Sequence, residues 1–402
     1  MDLLHLIYKE IDKNLTYFSV KEKVNIDTYK RFTELAVFFE LTVDNLTSDT
    51  EKNTCLLKEH IISEVKSLSP DSILKNVNVS YHIISPYVSI RNHIKIESLE
   101  KCLDIVVDNN LFPLETPPHR EMEWDYMLYK LGKCSFVKIP NNCILKQDFH
   151  LQFIDRELAY AITHALFYTT NFGFANNKPP VKDLGKLKFQ LECLIAKFYE
   201  ENDIDLILEL GINYFHLLQF VEIDYNILII INNCLERTSF IEFEWTKEII
   251  NKKYHSFLVL GIFSAVLKTL LISPKVSEAK KTTLKRIIDK TMFNENKYVK
   301  SIKEENLIET MPTIQAWSIL KSLKIKNFDK DAYSLYTTKF GKNAYLSEGI
   351  LSYLQILKQR NELEILWNRE FEKLDLNPKA QFILKNDFIV KVNLDIEYLN
   401  NN

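Results

Sequence analysis

The chain has 402 residues, 46% hydrophobic and 26% charged, a globular composition that excludes intrinsic disorder and leaves enough apolar material for a large core or for two to three domains. Its 51 basic and 54 acidic residues give a net charge of -3 and are mixed along the chain, so no basic stripe suited to phosphates stands out and no nucleic-acid partner is expected. Seven glycines and eleven prolines leave few tight turns, which argues against sandwiches and barrels and favours an all-α fold.

The first stretch, "MDLLHLIYKEIDKN", is acidic from its second residue and charged within ten, unlike a secretory signal, and implies a cytoplasmic location. Residues 1–75 read as an N-terminal helical segment in which "CLLKEHIISEVKSL" repeats apolar positions three and four apart and "TSDTEKNT" is a polar linker. "VNVSYHIISPYVSIRNHIKI", Val77 to Ile96, is rich in β-branched residues and is expected to form a strand or extended segment. After it come "SLEKCLDIVVDN", the break "FPLETPPHRE" and the Pro-initiated helix of "PPHREMEWDYMLYKLG". "ELAYAITHALFYTTNFG", "LGKLKFQLECLIAKFYEE" and "NDIDLILELG" continue the helical pattern. "YNILIIINNCL" and "FLVLGIFSAVLKTLLI" are the most apolar runs; both fall short of eighteen continuous apolar residues, and they are expected as buried helices and not as membrane spans. Residues 76–272 form the expected central domain and 273–402 a C-terminal helical segment, whose period-two run "DFIVKVNLDI" suggests a strand pairing with Val77 to Ile96.

Gly132, Gly173, Gly211 and Gly261 each follow or interrupt an apolar helical run, at intervals of about 41, 38 and 50 residues, the scale of stacked helix pairs. An α/α toroid or a helical-repeat solenoid of antiparallel pairs fits that spacing, with a minor β-hairpin accommodated beside it. The six cysteines are widely separated, without CxxC or zinc-finger spacing, and read as free, mostly buried thiols.

Polar groups inside apolar runs are the candidate site. On a helix through "ELAYAITHALFY", Glu157, His164 and Tyr168 share one face within about 16 Å of axis. Asp205 and Glu209 lie four apart among Ile and Leu; if buried, two such carboxylates require a proton, a metal or a cation beside them. His255 heads the apolar run "YHSFLVLG", and Arg120 and Glu123, three apart, can reach a neighbouring cavity, with Arg suited to fixing a carboxylate.

"ELAYAITHALFYTTNFG" resembles the E-x6-T-H-x3-Y-x-T-D-F-G pattern of a bacterial family of helical proteins known as a domain of unknown function. "NDIDLILELG" is similar to its W-D-L-x-x-E-L-L element, "KYHSFLVLG" to its Y-H-x-x-L-V element and "PHREMEWD" to its P-x-R-x-x-E/D element, over roughly residues 115 to 265. Asn171 stands where that pattern has Asp and Asp203 where it has Trp. The resemblance implies helical hairpins, in a toroid or solenoid, and an association with natural-product gene clusters; it implies no reaction, and places Asn171 beside the substrate.

From residue chemistry, the expectation is an enzyme performing acid–base work on a peptide or peptide-derived small molecule, with His164 as general base, oriented by a carboxylate, and Glu209 or Asp205 as acid. Two imidazoles and their carboxylates also suit a divalent metal such as Zn or Fe(II), although no HxxxH or HxD spacing supports one, and no cofactor is specified. The alternative is a helical-repeat scaffold that binds a peptide or a partner enzyme on a concave face, without turnover. In the enzyme the named side chains converge within about 10 Å; in the scaffold they spread along a groove.

Overall fold

Aspartate caps and a proline written into the sequence set the starts of several helices. The computed structural model describes residues 3–20, 26–45, 51–71, 77–109, 116–147, 154–222, 227, 231 and 247–291. Among them lie α1 (Leu3–Lys13), α2 (Ile26–Thr42), α3 (Glu51–Lys66), α4 (Val77–Ile90), α5 (Glu97–Asp108), α6 (Pro118–Lys130), α7 (Arg156–Thr170), α8 (Leu184–Glu201), α9 (Ile204–His216), α10 (Lys247–Ile272) and α11 (Glu278–Thr291), and no strand. The fold is all-α there. The helices expected beyond residue 291 and the run "DFIVKVNLDI" lie outside the described residues.

The strand expected at Val77 to Ile96 is instead α4. Its β-branched content favours a strand only weakly, and burial decides: Ile84, Tyr87 and Val88 recur at helical spacing and are buried, on a helix packed against α2. Pro118 begins α6 at a position where its missing N–H costs nothing. Asp155 caps α7 by accepting the Leu158 N–H at 2.9 Å, and Asp203 caps α9 by accepting that of Leu206 at 3.3 Å. The turn after α7 is left-handed over three consecutive residues, Asn171, Phe172 and Gly173, at φ 49°, 54° and 85°. Asn and Gly tolerate that region; Phe172 is held in it by stacking on Phe167, centroids 4.7 Å apart.

Helix neighbours run α2–α4–α6–α7–α9–α10 and return to α2, with α8 packed on α9 and α1 on α10. One hydrophobic cluster extends from Leu3 to Leu284, so the N-terminal helices and the central ones share a core. The most enclosed helix is α9, buried at every residue from Leu206 to His216. Within α10, Lys252–Ile272 is by length and composition alone apolar enough to cross a membrane, with a window of mean hydropathy 1.9, but 72% of that window is buried within the fold, and α10 packs against α1, α2 and α9 as the buried helix expected there.

The four glycines do not share one role. Gly132 and Gly173 sit at positive φ after helices, whereas Gly211 and Gly261 lie inside α9 and α10. A Cβ on Gly261 would overlap the ring of Phe38, itself fully buried on α2, so α10 and α2 meet at a spacing that only glycine permits.

Candidate functional site

Along α9 the residues Asp205, Glu209, Asn213 and His216 follow i, i+4, i+8 and i+11, a polar line on a helix that is otherwise apolar. Its members bond within α9 and to neighbouring elements, while Asn213 Oδ1 is buried without a partner among the described residues. Asn213 donates to the backbone oxygens of Thr163 and Glu209, at 3.3 and 3.1 Å. His216 sets Nδ1 2.9 Å from Gly173 O and Nε2 3.1 Å from Asn177 O, tying the turn after α7 to α9.

Glu209 is the centre of the site. Its side chain is 1% exposed, and burial holds its carboxyl above the usual range against the opposing bonds of His255 and Thr163. Thr163 Oγ1 donates to Glu209 Oε2 at 2.6 Å, and His255 Nε2–H to Glu209 Oε1 at 3.3 Å. The opposite ring nitrogen, His255 Nδ1–H, donates to Glu34 Oε2 on α2 at 3.1 Å. Burial disfavours the His255 cation, but the flanking Glu34 and Glu209 outweigh it and raise the imidazole well above its ordinary value. Glu34 is held down by the same contact, against its own burial, so the proton resides on the ring between the two acids. The carboxylates of α9 thus find cations: His255 beside Glu209, and Arg156 Nη2 3.9 Å from Asp205.

His164 faces Glu209 from α7, Nε2 lying 3.7 Å from Oε2. Its Nδ1 is enclosed and makes no hydrogen bond. Burial lowers this imidazole well below its ordinary value, helped by the charges of Arg120, His119, His255 and Lys30, so it is neutral. The rings of Tyr160, His119, Tyr168 and Phe167 surround it, centroids 5.8 to 6.1 Å away, and the side chain is 23% exposed.

The other expected residues divide. Tyr168 belongs to the cluster through His164, and its hydroxyl donates to Glu123 Oε1 at 3.0 Å. Glu123, buried, also accepts from Arg120 Nη1 at 2.8 Å, while the Arg120 side chain is 42% exposed. Asn171 is committed elsewhere: its Oδ1 accepts the Tyr126 hydroxyl at 2.6 Å and its left-handed backbone ends α7. Glu157 is exposed in the first turn of α7; burial lowers the His119 imidazole, and the charges of Glu123 and Glu157 oppose that only in part. Asp205 accepts the Ser256 hydroxyl at the rim of an open cleft of about 320 Å³ that also includes Asp203 and Lys253. Of the two acids expected on α9, Glu209 is enclosed and already engaged by the Thr163 hydroxyl and His255, whereas Asp205 lies at the rim of the open cleft.

Glu34, Thr163 and His119 were not among the expected site residues. Thr163 stands in the T-H pair of the resemblance, so a signal existed for it. Glu34 had none, since Lys30 four residues earlier gives it the look of a surface pair; that contact exists, at 3.9 Å, behind the bond to His255. Among the described residues no group of three His, Cys, Asp or Glu is arranged to hold a metal ion.

The model of a protein family described as a domain of unknown function (DUF6895) matches residues 7–215, and the chain belongs to that family. The match begins within α1, well before the expected residue 115, and takes in Glu34, Glu123, His164 and Glu209; His255 lies beyond it. No curated protein and no solved structure matches the chain.

Proposed function

We propose that the protein is an enzyme that performs His/carboxylate acid–base chemistry on a peptide or peptide-derived small molecule, with His164 as the general base. The observation that carries this reading is a neutral, part-exposed imidazole with an unbonded Nδ1, placed against a buried carboxylate that an imidazolium backs from the other side. His164 takes a proton from the substrate at Nδ1, which becomes reachable when an entering substrate displaces the rings that enclose it; Glu209, facing Nε2, stabilises the cation that forms; the same imidazolium then returns the proton to the product. His164 and His255 illustrate how two like groups are driven apart by environment, one kept neutral and one kept charged. The aromatic walls suit a partly apolar substrate, and Arg120, which already holds Glu123 through Nη1, carries a guanidinium with further donors that suit a carboxylate end.

The closed order of neighbouring helices supports an α/α toroid whose interior holds these residues. A place in a natural-product pathway rests on the resemblance noted above. The convergence of His164, Tyr168, Glu209 and His255 favours the enzyme over a non-catalytic scaffold that binds a peptide or partner enzyme. To test it, peptide and metabolite pools are incubated in D2O and in 18O-labelled water with the wild type and with His164→Ala, and followed by mass spectrometry. New masses or carbon-bound deuterium are expected with the wild type alone, at equal circular dichroism; every wild-type product persisting in His164→Ala would overturn the assignment.

A further inference from the structure

His255 is held from both sides, and the outer hold comes from a residue distant in sequence. Glu34 lies on α2, His255 on α10, Glu209 on α9 and His164 on α7, so four helices contribute one side chain each to a continuous line: Glu34 Oε2 to His255 Nδ1 at 3.1 Å, His255 Nε2 to Glu209 Oε1 at 3.3 Å, and Glu209 Oε2 to His164 Nε2 at 3.7 Å. An imidazole ring is rigid, so an acceptor fixed at Nδ1 fixes where Nε2 points. Glu209 has two oxygens and divides them, one toward His255 and the other toward Thr163 and His164. The orientation of the inner carboxylate is therefore set from outside.

We propose that Glu34 is a positioning residue for the His164 base: by accepting the Nδ1–H of His255 it directs Nε2–H at Glu209, which keeps that carboxylate ionised and turned toward His164. The arrangement is that of a histidine oriented by an outer carboxylate, applied here to a ring whose own partner is a second carboxylate. It rests on the reading of His164 as base. The charged and titratable groups facing the line are Lys30 on α2, Asp205 on α9, Arg120 and His119 on α6, and Tyr254, which donates to Glu34 from α10 itself.

The full chain is labelled with 15N at its nine histidines, and long-range proton–nitrogen spectra are recorded between pH 5 and 9 for the wild type, Glu34→Gln and Glu34→Asp, with His164→Gln and His255→Gln used for assignment. In the wild type both nitrogens of His255 are expected to be protonated through neutral pH, and His164 to be neutral with its proton on Nε2. In Glu34→Gln the protonation constant of His255 falls at least tenfold and the nitrogen shifts of His164 move with it; Glu34→Asp, which keeps the charge, restores part of both. Either an unmoved His255, or a His255 that titrates differently while His164 stays unchanged, overturns the proposal. Resonances of the histidines remote from α2 report whether each variant is folded, and Glu34→Asp carries the test if Glu34→Gln is not. The base assignment fails by a different result, product formation by His164→Ala, which leaves the nitrogen spectra as they are.

Discussion

Replacing His255 by Gln leaves two carboxyl groups facing the place of one cation. Glu209 is 1% exposed and Glu34 20%, so the lost imidazolium leaves one acid enclosed and the other in partial contact with water and Lys30. Removing one partner of a buried ion pair costs roughly 3 to 5 kcal/mol, a figure lowered here to about 2 to 3 by the exposure of Glu34 and by the ability of either acid to take up a proton. That escape depends on pH. His255 has a folded value above its unfolded 6.5, so its contribution is complete below pH 6.5 and declines only as pH rises beyond it. In the variant a carboxyl protonated when folded but ionised above about 4.5 when unfolded loses stability at the one-proton slope, about 1.36 kcal/mol per pH unit, from pH 5 upward. His255→Gln is thus expected to lie about 1 kcal/mol below the wild type at pH 5 and about 3 below it at pH 7. Urea unfolding followed by circular dichroism at the two pH values measures the difference. The double variant His255→Gln/Glu209→Gln should recover much of the loss at pH 7. A loss of equal size at both pH values, or a double variant no more stable than the single, would refute the account of a shared buried proton.

Thr163→Val keeps the shape of the side chain but removes the hydroxyl that donates to Glu209 at 2.6 Å, and is expected to cost about 1 to 3 kcal/mol in the same assay, with a raised Glu209 seen as a steeper fall of stability with pH. Asp203→Ala removes both the cap of α9 and the partner of Arg156 Nε at 2.6 Å; since that ion pair is half in solvent, about 1 to 2 kcal/mol is expected, nearly all from the cap, and a loss abolished by high salt would contradict this apportioning.

The helices and the inward polar residues were legible because both are written as short-range periodicity. Glu209 and Asp205 stood out against Ile and Leu, His164 sat within a helix of known face, and Pro118, Gly132 and Gly173 marked ends. What failed was information held at long range. Val77 to Ile90 is helical because α2 buries it, a fact absent from its own residues. Glu34 lies 221 residues from His255, and only packing of α2 on α10 brings them together. Glu209 is enclosed and His164 part-exposed, a difference invisible to periodicity, which gives a face without saying how deep that face is set. Asn171 was expected beside the substrate, and the structure shows its left-handed backbone ending α7 and its Oδ1 accepting the Tyr126 hydroxyl.

Gly261 has no functional group, yet it bears on the contact between His255 and Glu34 one and a half turns away. It lies on the same helix as His255, and Phe38, whose ring it admits, lies one turn beyond Glu34 on α2. The two contacts belong to one helix crossing and act like two teeth of a gear: whatever separates the backbones at Gly261 also lengthens the span from imidazole to carboxylate at the other tooth. A hydrogen bond of 3.1 Å has little slack, since a few tenths of an ångström would carry it past useful length. The calibration of this acid–base unit therefore resides partly in the smallest side chain of its apolar core, where a survey confined to ionisable residues would not look.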